Sequence, residues 1–305
     1  MADLGPQELR ILVAVADAGG FSAAAGRLGL TQSAVSHSVR ASEARIGAVL
    51  FDRGRRGARP TPAGERAVGH ARRILRLLAV MAEEARAAGR AEGGDGCPVD
   101  GTVRIAAFRS AALHLLPPVL ERLRTRHPAL RPEVRVVREL GAGTAGEVLA
   151  GRADLGIATL DGPDGIPPGL VGGALLEEEY ALVHPAGHLD PRSLPLLDWD
   201  ENCGSYTRDW WRAQDWIPRA TVQAEDDAMV VTMVGRGLGM AVLPALSLTG
   251  APDTVGVTRL GPGGPVRSVG YVTTPEQAAT RSVQALVREL RQARRPRAGE
   301  GRLRY

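Results

Sequence analysis

The sequence predicts an α/β chain in three parts: a small helical head with a hairpin, one long helix, and a pair of αβ subdomains. Three observations predict this. Residues 21–61 hold two short helical patterns joined at Gly29, then a Gly–Arg turn between short extended runs. Residues 62–88 carry apolar side chains at alternating steps of four and three. From Thr102 onward, β-rich runs alternate with helical patterns, as in βαβ crossovers and a largely parallel, doubly wound sheet. The expected bounds are a head over 1–61, a long helix over 62–90 and a hinge over 91–101. An αβ region follows over 102–293, its first subdomain built from 102–160 and 268–293 and its second from 161–267, and 294–305 form a tail.

In the head, Pro6 suits the first turn of an opening helix. Leu9, Leu12, Val13 and Ala16 give that helix an apolar stripe, and Ala18-Gly19-Gly20 ends it. Ser22 is a candidate N-cap for a helix over 23–28, whose alanines allow close approach of a neighbour. Gly29 is a C-terminal stop, and Thr31 is the N-cap of a second helix over 32–46. Val35, Val39 and Ile46 should face inward, leaving Gln32, Ser33, Ser36, His37 and Arg40 on or near the outer face. Two short helices joined by a tight Gly turn form a helix-turn-helix, whose second helix enters the major groove of DNA by its N-terminal end. Gln and Arg there can bond base edges. Extended pieces over 49–53 and 58–60 flank Gly54-Arg55-Arg56-Gly57, a hairpin or wing. Taken alone, Arg53, Arg55, Arg56 and Arg59 are either phosphate contacts or a solvated turn. Joined to the capped helices, they read as part of a surface for double-stranded DNA, together with Ser22, Thr31 and the five outer residues of the second helix.

The run Ala23-Ala24-Ala25-x-x-Leu28-x-Leu30-Thr31-Gln32-Ser33-Ala34-Val35-Ser36, then Glu43, Gly47, Leu50-Phe51-x-Arg53 and Thr61-Pro62-Ala63-Gly64, resembles the N-terminal domain of LysR-type transcriptional regulators. The chain departs from that pattern at Ser42, where the family usually has Leu, and at Arg59-Pro60, where apolar residues usually precede the Thr. The resemblance implies a regulator with a linker helix that pairs two heads and a small-molecule sensor with the type 2 periplasmic-binding-protein fold. It also implies self-association as a dimer or tetramer, with RNA polymerase a candidate partner. Two paired heads imply an interrupted inverted-repeat operator.

Thr61-Pro62 opens the long helix, with Ala67, Ala71, Ile74, Leu78, Met81 and Ala85 as its seam. Such a stripe either pairs two chains or packs within its own; pairing is favoured because a lone winged head offers little surface to cover it. Cys97 lies in the Gly-rich hinge with no activating partner in the sequence.

In the αβ region, strands are expected over 103–107, 134–137 and 154–158, with helices over 113–126 and 144–150 between them. Residues 161–173 read as a crossover to the second subdomain. That subdomain should hold strands over 180–183, 221–223 and 240–244, a helix over 227–235 and a helix beginning in 205–213. Strands over 255–260 and 266–273 return the chain, and Pro275 opens a last helix carrying Val283, Leu286, Val287 and Leu290.

The resemblance puts an effector in the cleft between the subdomains, at Arg109, Ser110, Thr159, Cys203, Gly204, Ser205, Tyr206, Glu225 and Asp226. Helix N-termini there favour an anion. Arg109 either pairs with a ligand carboxylate or is solvated; Glu225 and Asp226 either bind or cap the following helix. Trp199, Trp210, Trp211 and Trp216 either stack on a ring or pack a core. The peroxide-sensing branch of the family places a reactive Cys near Cys203, but no second Cys follows it here, so only a one-Cys switch is open to this chain.

A net charge of +4 is too small to argue nucleic-acid binding; the clustering of arginine does. No Lys occurs, so every strong cation is Arg. The opening residues lack a signal peptide's pattern and no run is long enough to cross a bilayer, so a cytoplasmic protein without membrane contact is expected. Gly235-Arg236-Gly237-Leu238-Gly239 lies between a helix and a strand, the wrong order for a dinucleotide loop. With no metal spacing, P-loop or nucleophile elbow, neither an enzyme nor a cofactor or metal is expected. The alternatives to an effector-controlled regulator are a one-Cys redox regulator and a small-molecule binder without transcriptional output.

Overall fold

The computed structural model describes residues 4–54, 57–90, 99–162, 164–199, 201 and 210–293. They form two compact units, Met1–Cys97 with Leu149–Arg152, and Pro98–Val148 with Ala153–Tyr305. The first unit holds helices α1 (Pro6–Ala18), α2 (Phe21–Leu28), α3 (Gln32–Ile46) and α4 (Pro62–Arg90), with strands β1 (Phe51–Gly54) and β2 (Gly57–Pro60) paired antiparallel between α3 and α4.

Ile11, Leu12 and Val15 of α1 meet Ala24 and Ala25 of α2, Val35 and Val39 of α3, and Leu50 and Phe51 in one core. Thr31 caps α3 as expected, accepting from the Ala34 N–H at 3.2 Å. Ser22 does not cap α2. That helix starts at Phe21 with Gly20 as its N-cap, because the Phe21 ring packs edge-on against Phe51 at 6.3 Å and draws the first turn back. Ile46, expected inward, is exposed in the last turn of α3. Ser42 is fully buried, and its hydroxyl donates to the Ser38 carbonyl at 2.9 Å, so the polar group at this unusual position is satisfied within α3.

The wing is held from three sides. Glu43 Oε1 accepts the N–H groups of Leu50 and Phe51 at 2.9 and 3.2 Å, tying α3 to β1. The Ala58 N–H donates to the Gly19 carbonyl at 2.9 Å, and a Cβ on Gly57 would stand 2.2 Å from that oxygen. At the next corner, Thr61 donates its N–H to Leu50 and its hydroxyl to Val49, and accepts from the Gly64 N–H at 3.0 Å. On α4, Val68, Ala71 and Val80 are buried, whereas Ile74, Leu77 and Met81 are 44%, 46% and 60% exposed. The expected seam is therefore split: Ala71 faces inward, and Leu77 joins Ile74 and Met81 on the open stripe, because α1 already covers one side of α4.

The second unit contains β3 (Gly101–Ala107), α5 (Leu116–Arg126), β4 (Leu130–Val136), α6 (Gly143–Leu149), β5 (Leu155–Leu160), β6 (Val171–Pro185), β7 (Leu196–Trp199), β8 (Ala220–Ala224), α7 (Asp227–Gly235), β9 (Ala241–Pro244), β10 (Val255–Arg259), β11 (Val266–Thr273), α8 (Pro275–Ala278) and α9 (Arg281–Ala293). The strand order β10-β6-β11-β5-β3-β4 is mixed rather than largely parallel. β4, β3 and β5 are parallel, as their crossovers require; β11 returns antiparallel between β5 and β6. α5 and α9 cover one face through Leu116, Val119, Leu123, Val283, Leu286 and Leu290, and Val148 of α6 packs on the other.

Four elements differ from the sequence reading. β6 begins inside the expected crossover, because its first half pairs with β11 and its second with β9 and β10. β7 was not expected; it lies parallel to β8. Pro117 and Pro118 sit in the first turn of α5, preceded by a wide π-helical turn, Ala111–Leu115. The last helix is broken at residues 279–280 into α8 and α9, with Thr280 donating its hydroxyl to the Gln277 carbonyl at 2.7 Å. The helix expected from residue 205 falls mostly on 202–209, outside the described residues.

The corner at Gly64 yields a paired test on one helix. A Cβ at Gly64 would stand 1.9 Å from the Leu50 carbonyl oxygen, whereas one at Gly69 meets nothing within 4 Å. Gly64→Ala should destabilise the head by about 1–3 kcal/mol through overpacking. Gly69→Ala should stabilise it by roughly 0.5–1 kcal/mol through helix propensity. Urea unfolding of both variants measures the opposite signs.

Candidate DNA-reading surface and effector cleft

The N-terminal half of α3 presents a shallow concavity formed by Gln32, Ser33, Ala34, Ser36, His37 and Arg40. Gln32, Ser33, His37 and Arg40 are exposed along it. Thr31 stands at its edge, with its hydroxyl 3.0 Å from that of Ser33. Ser36 departs from expectation: it is only 9% exposed, lying on the side of α3 that turns toward Val35 and Val39. Ser22 is exposed on α2 and Arg59 on β2, opposite Asp52 in the hairpin register. The side chain of Arg53, and Arg55 and Arg56 entirely, lie outside the described residues. Arg45 is bound to Glu8 of α1. The Glu8 carboxyl is held below its ordinary pKa first by the Gly5 N–H at 2.7 Å and then by Arg45.

In the second unit, a cavity of about 330 Å³ opens beside the C-terminal ends of β3 and β5. That size is at the small end for ligand sites. Arg109 and Ser110 line it, following β3, as does Thr159 of β5. Each of the three makes a contact within the chain. Arg109 Nη1 pairs with Asp226 at 2.7 Å, and its Nε lies 3.8 Å from Asp227. Ser110 is buried, and its hydroxyl accepts from Arg267 Nη2 at 3.3 Å. The Thr159 N–H donates to Glu139 Oε1 at 3.0 Å. Asp226 lines the cavity and caps α7, accepting from the Met229 N–H at 2.8 Å. Asp227, not Glu225, is its lining neighbour.

Glu139 is the residue that the sequence reading missed. It follows β4, and Gly143 makes room for it: a Cβ there would stand 2.8 Å from Glu139 Oε2. The Thr144 N–H donates to Oε2 at 3.0 Å, and the Thr144 hydroxyl to Oε1 at 3.3 Å. Burial raises the pKa of this carboxyl, against the opposing pull of the Thr144 and Thr159 donors and the positive charge of Arg267. Glu201, also missed, accepts from Arg138 Nε at 3.1 Å and from the Glu139 N–H at 3.2 Å. A Gly-x-Gly turn just past a strand end, with a carboxylate before it, was the available signal. Arg267, on β11, donates to Glu178 at 2.6 Å and lies over the Phe108 ring.

Of the four tryptophans, Trp199 lines the cavity. Trp210, Trp211 and Trp216 pack instead around Tyr180, Leu182, Met240 and Val242, with Trp210 edge-on to Trp216 at 6.4 Å. Trp199 is itself buried in a core with Leu197 and Ala224, so all four serve core packing. Cys203, Gly204, Ser205 and Tyr206 lie outside the described residues, as does Cys97. Among the described residues no group of three or more His, Cys, Asp or Glu could hold a metal ion, and no helix is long and apolar enough to cross a membrane.

Comparison with known proteins covers both regions of the chain. Residues 6–65 match the model of the bacterial regulatory helix-turn-helix protein, lysR family, and residues 98–295 match that of the LysR substrate binding domain. The chain is 34% identical over 259 residues to a probable HTH-type transcriptional regulator, LrrA, of Synechococcus elongatus, covering 81% of this chain and 83% of that one. Among solved structures, full-length OxyR from Pseudomonas aeruginosa aligns with a TM-score of 0.70 at 20% identity, covering 95% of both chains. CbnR in complex with its target DNA aligns with a TM-score of 0.61 at 21% identity, covering 95% of this chain and all of that one. These two share the fold. With a matched helix-turn-helix, a matched sensor domain and a relative aligned across four-fifths of its length, the chain belongs to the LysR family of DNA-binding transcriptional regulators.

Proposed function

We propose that the chain reads an interrupted inverted-repeat operator through the N-terminal face of α3 and reports occupancy of the cleft in the second unit. The observation that carries the reading is the exposure of Gln32, Ser33, His37 and Arg40 along one concave strip of α3. An α-helix fits the major groove, and its side chains there can bond base edges. Arg59 on the wing, with Arg53, Arg55 and Arg56 by sequence, would follow the phosphates. The CbnR complex, in which a protein of the same fold is bound to DNA, supports this placement.

The stripe of Ile74, Leu77 and Met81 supports pairing of two copies along α4. These residues recur at steps of three and four on one side of a helix whose other side is covered by α1. Two heads held at a fixed spacing would read two half-sites. The cleft supports a small effector, with Ser110, Thr159 and Asp226 on its wall.

Two tests follow from these surfaces. In fluorescence anisotropy with the duplex upstream of the chain's own gene, Gln32→Ala and Arg40→Ala should each weaken binding by about 1–3 kcal/mol and relax sequence preference, with melting unchanged. Arg59→Ala should weaken binding to every sequence alike and reduce the salt slope by about one unit. Equal loss on all sequences for Arg40→Ala would remove α3 as the reader. In analytical ultracentrifugation, Ile74→Glu with Met81→Glu should lower the assembly state and abolish tight operator binding while the head still melts cooperatively. An unchanged mass would exclude this stripe as the interface.

A further inference from the structure

The cleft is short of positive charge, contrary to the anion-binding expectation. Among the described residues its wall carries the carboxylates of Glu139, Asp161, Glu201, Asp226 and Asp227 against the guanidinium groups of Arg109 and Arg267. Both arginines are engaged: Arg109 by Asp226 and Asp227, Arg267 by Glu178. Including Glu178 and the Arg138 that pairs with Glu201 leaves the excess of negative charge unchanged.

Backbone donors at two places on this wall are also filled from within. The carboxylate of Glu139 sits on the Thr144 N–H, the Thr144 hydroxyl and the Thr159 N–H, where a ligand carboxylate would otherwise go. That seat is built for it: Thr144 is fully buried, and Gly143 leaves the space that the carboxylate needs. Asp226 fills the N-terminus of α7 in the same way, through the Met229 N–H. Ser110 accepts from Arg267 Nη2 at 3.3 Å, which ties that guanidinium to the wall. A second carboxylate brought into this wall would meet like charge and find the Thr144 and Thr159 amides already taken, at a cost that the low dielectric of the site increases. A cation meets the reverse: a partly buried carboxylate whose charged form is under-solvated, with Asp161 and Glu201 beside it.

We propose that the effector of this regulator carries a positive charge, as an amine or guanidinium, and that Glu139 sets this preference by holding the donors a carboxylate would need. The proposal rests on the cleft being the effector site. Glu139 is a specificity-determining residue: it pairs with the cationic group and excludes anions of the same size. The cavity of about 330 Å³ suits a diamine, a guanidino compound or a single amino acid rather than a multi-ring molecule.

Thermal shift and calorimetry on the full chain test this with 1,4-diaminobutane, agmatine and arginine as cations, and succinate, benzoate and 2-oxoglutarate as anions. Expected is binding by at least one cation and by no anion. Glu139→Gln should weaken that cation roughly tenfold or more, the usual worth of a charge-assisted pair, while Glu133→Gln, on exposed β4, leaves it unchanged. Glu139→Ala empties the seat and should acquire succinate binding that the parent chain lacks, each shift being read against the variant's own melting temperature. Succinate, benzoate or 2-oxoglutarate binding to the parent chain, lost in Arg109→Ala, would overturn the charge preference and leave the cleft as the effector site. Cation binding that neither Glu139→Gln nor Asp161→Asn alters would overturn the proposal and the cleft assignment together. No binding by any of the three cations would also overturn it.

Discussion

β6 is the constraint on which the sensor unit depends. It is one continuous strand of 15 residues with two sets of partners. Val171–Glu179 pair with β11, while Tyr180–Pro185 pair with β9 and β10. Two sheets thus share one backbone, and their relative position is set by main-chain hydrogen bonds rather than by a flexible linker. Tyr180, at the change of partner, lines the cavity. The close approach needed on the β11 side is visible at Gly172, where a Cβ would stand 2.0 Å from the Tyr271 carbonyl oxygen. A bulge at Val269/Gly270 takes up the register difference along the same pair.

Charge in the cleft is managed by the same economy of backbone donors. The loop after β4 turns back at Gly141 and Gly143, and so delivers Glu139 to amide groups of α6 and β5 that would otherwise be open. The N-terminus of α7 takes Asp226 for the same reason. A buried polar group needs a partner; here the partners come from the chain itself. Arg109 and Arg267 are then drawn to the remaining carboxylates, and the cavity is left with negative charge in excess. The electrostatic character of the site is therefore a consequence of how three strand ends and two helix starts are satisfied.

In the DNA-reading head the corresponding constraint is the fixing of a short hairpin that has little core of its own. Glu43, Gly19 and Leu50 each supply or receive a backbone hydrogen bond at its base. Thr61 and Gly64 complete the corner by letting α4 approach the Leu50 carbonyl. α3 is held by the same group of contacts through Glu43, so the helix and the wing beside it share one set of hydrogen bonds. Of the motif residues that signal the family in sequence, Glu43, Leu50, Phe51, Thr61 and Gly64 make this corner in the structure.

The sequence by itself determined the elements and their order. Capping at Thr31, the stop at Gly29, the Thr-Pro start of α4 and the alternation of strand and helix after Thr102 are local signals, set by backbone geometry within a few residues. Where a residue's role depended on a neighbour distant in the chain, the sequence was silent or misleading. Ser36 and Ala71 turned inward and Leu77 and Ile46 outward because other helices decide which side of α3 and α4 is covered. Three tryptophans went to a core because Tyr180 and Met240 lie beneath them. Arg109, Ser110 and Thr159 reached the cleft as expected, but their partners, Asp226, Arg267 and Glu139, stand 117, 157 and 20 residues away in the chain. Only the tertiary structure could join them, since hydrogen bonding and ion pairing act over a few ångströms of space, whatever the separation along the sequence.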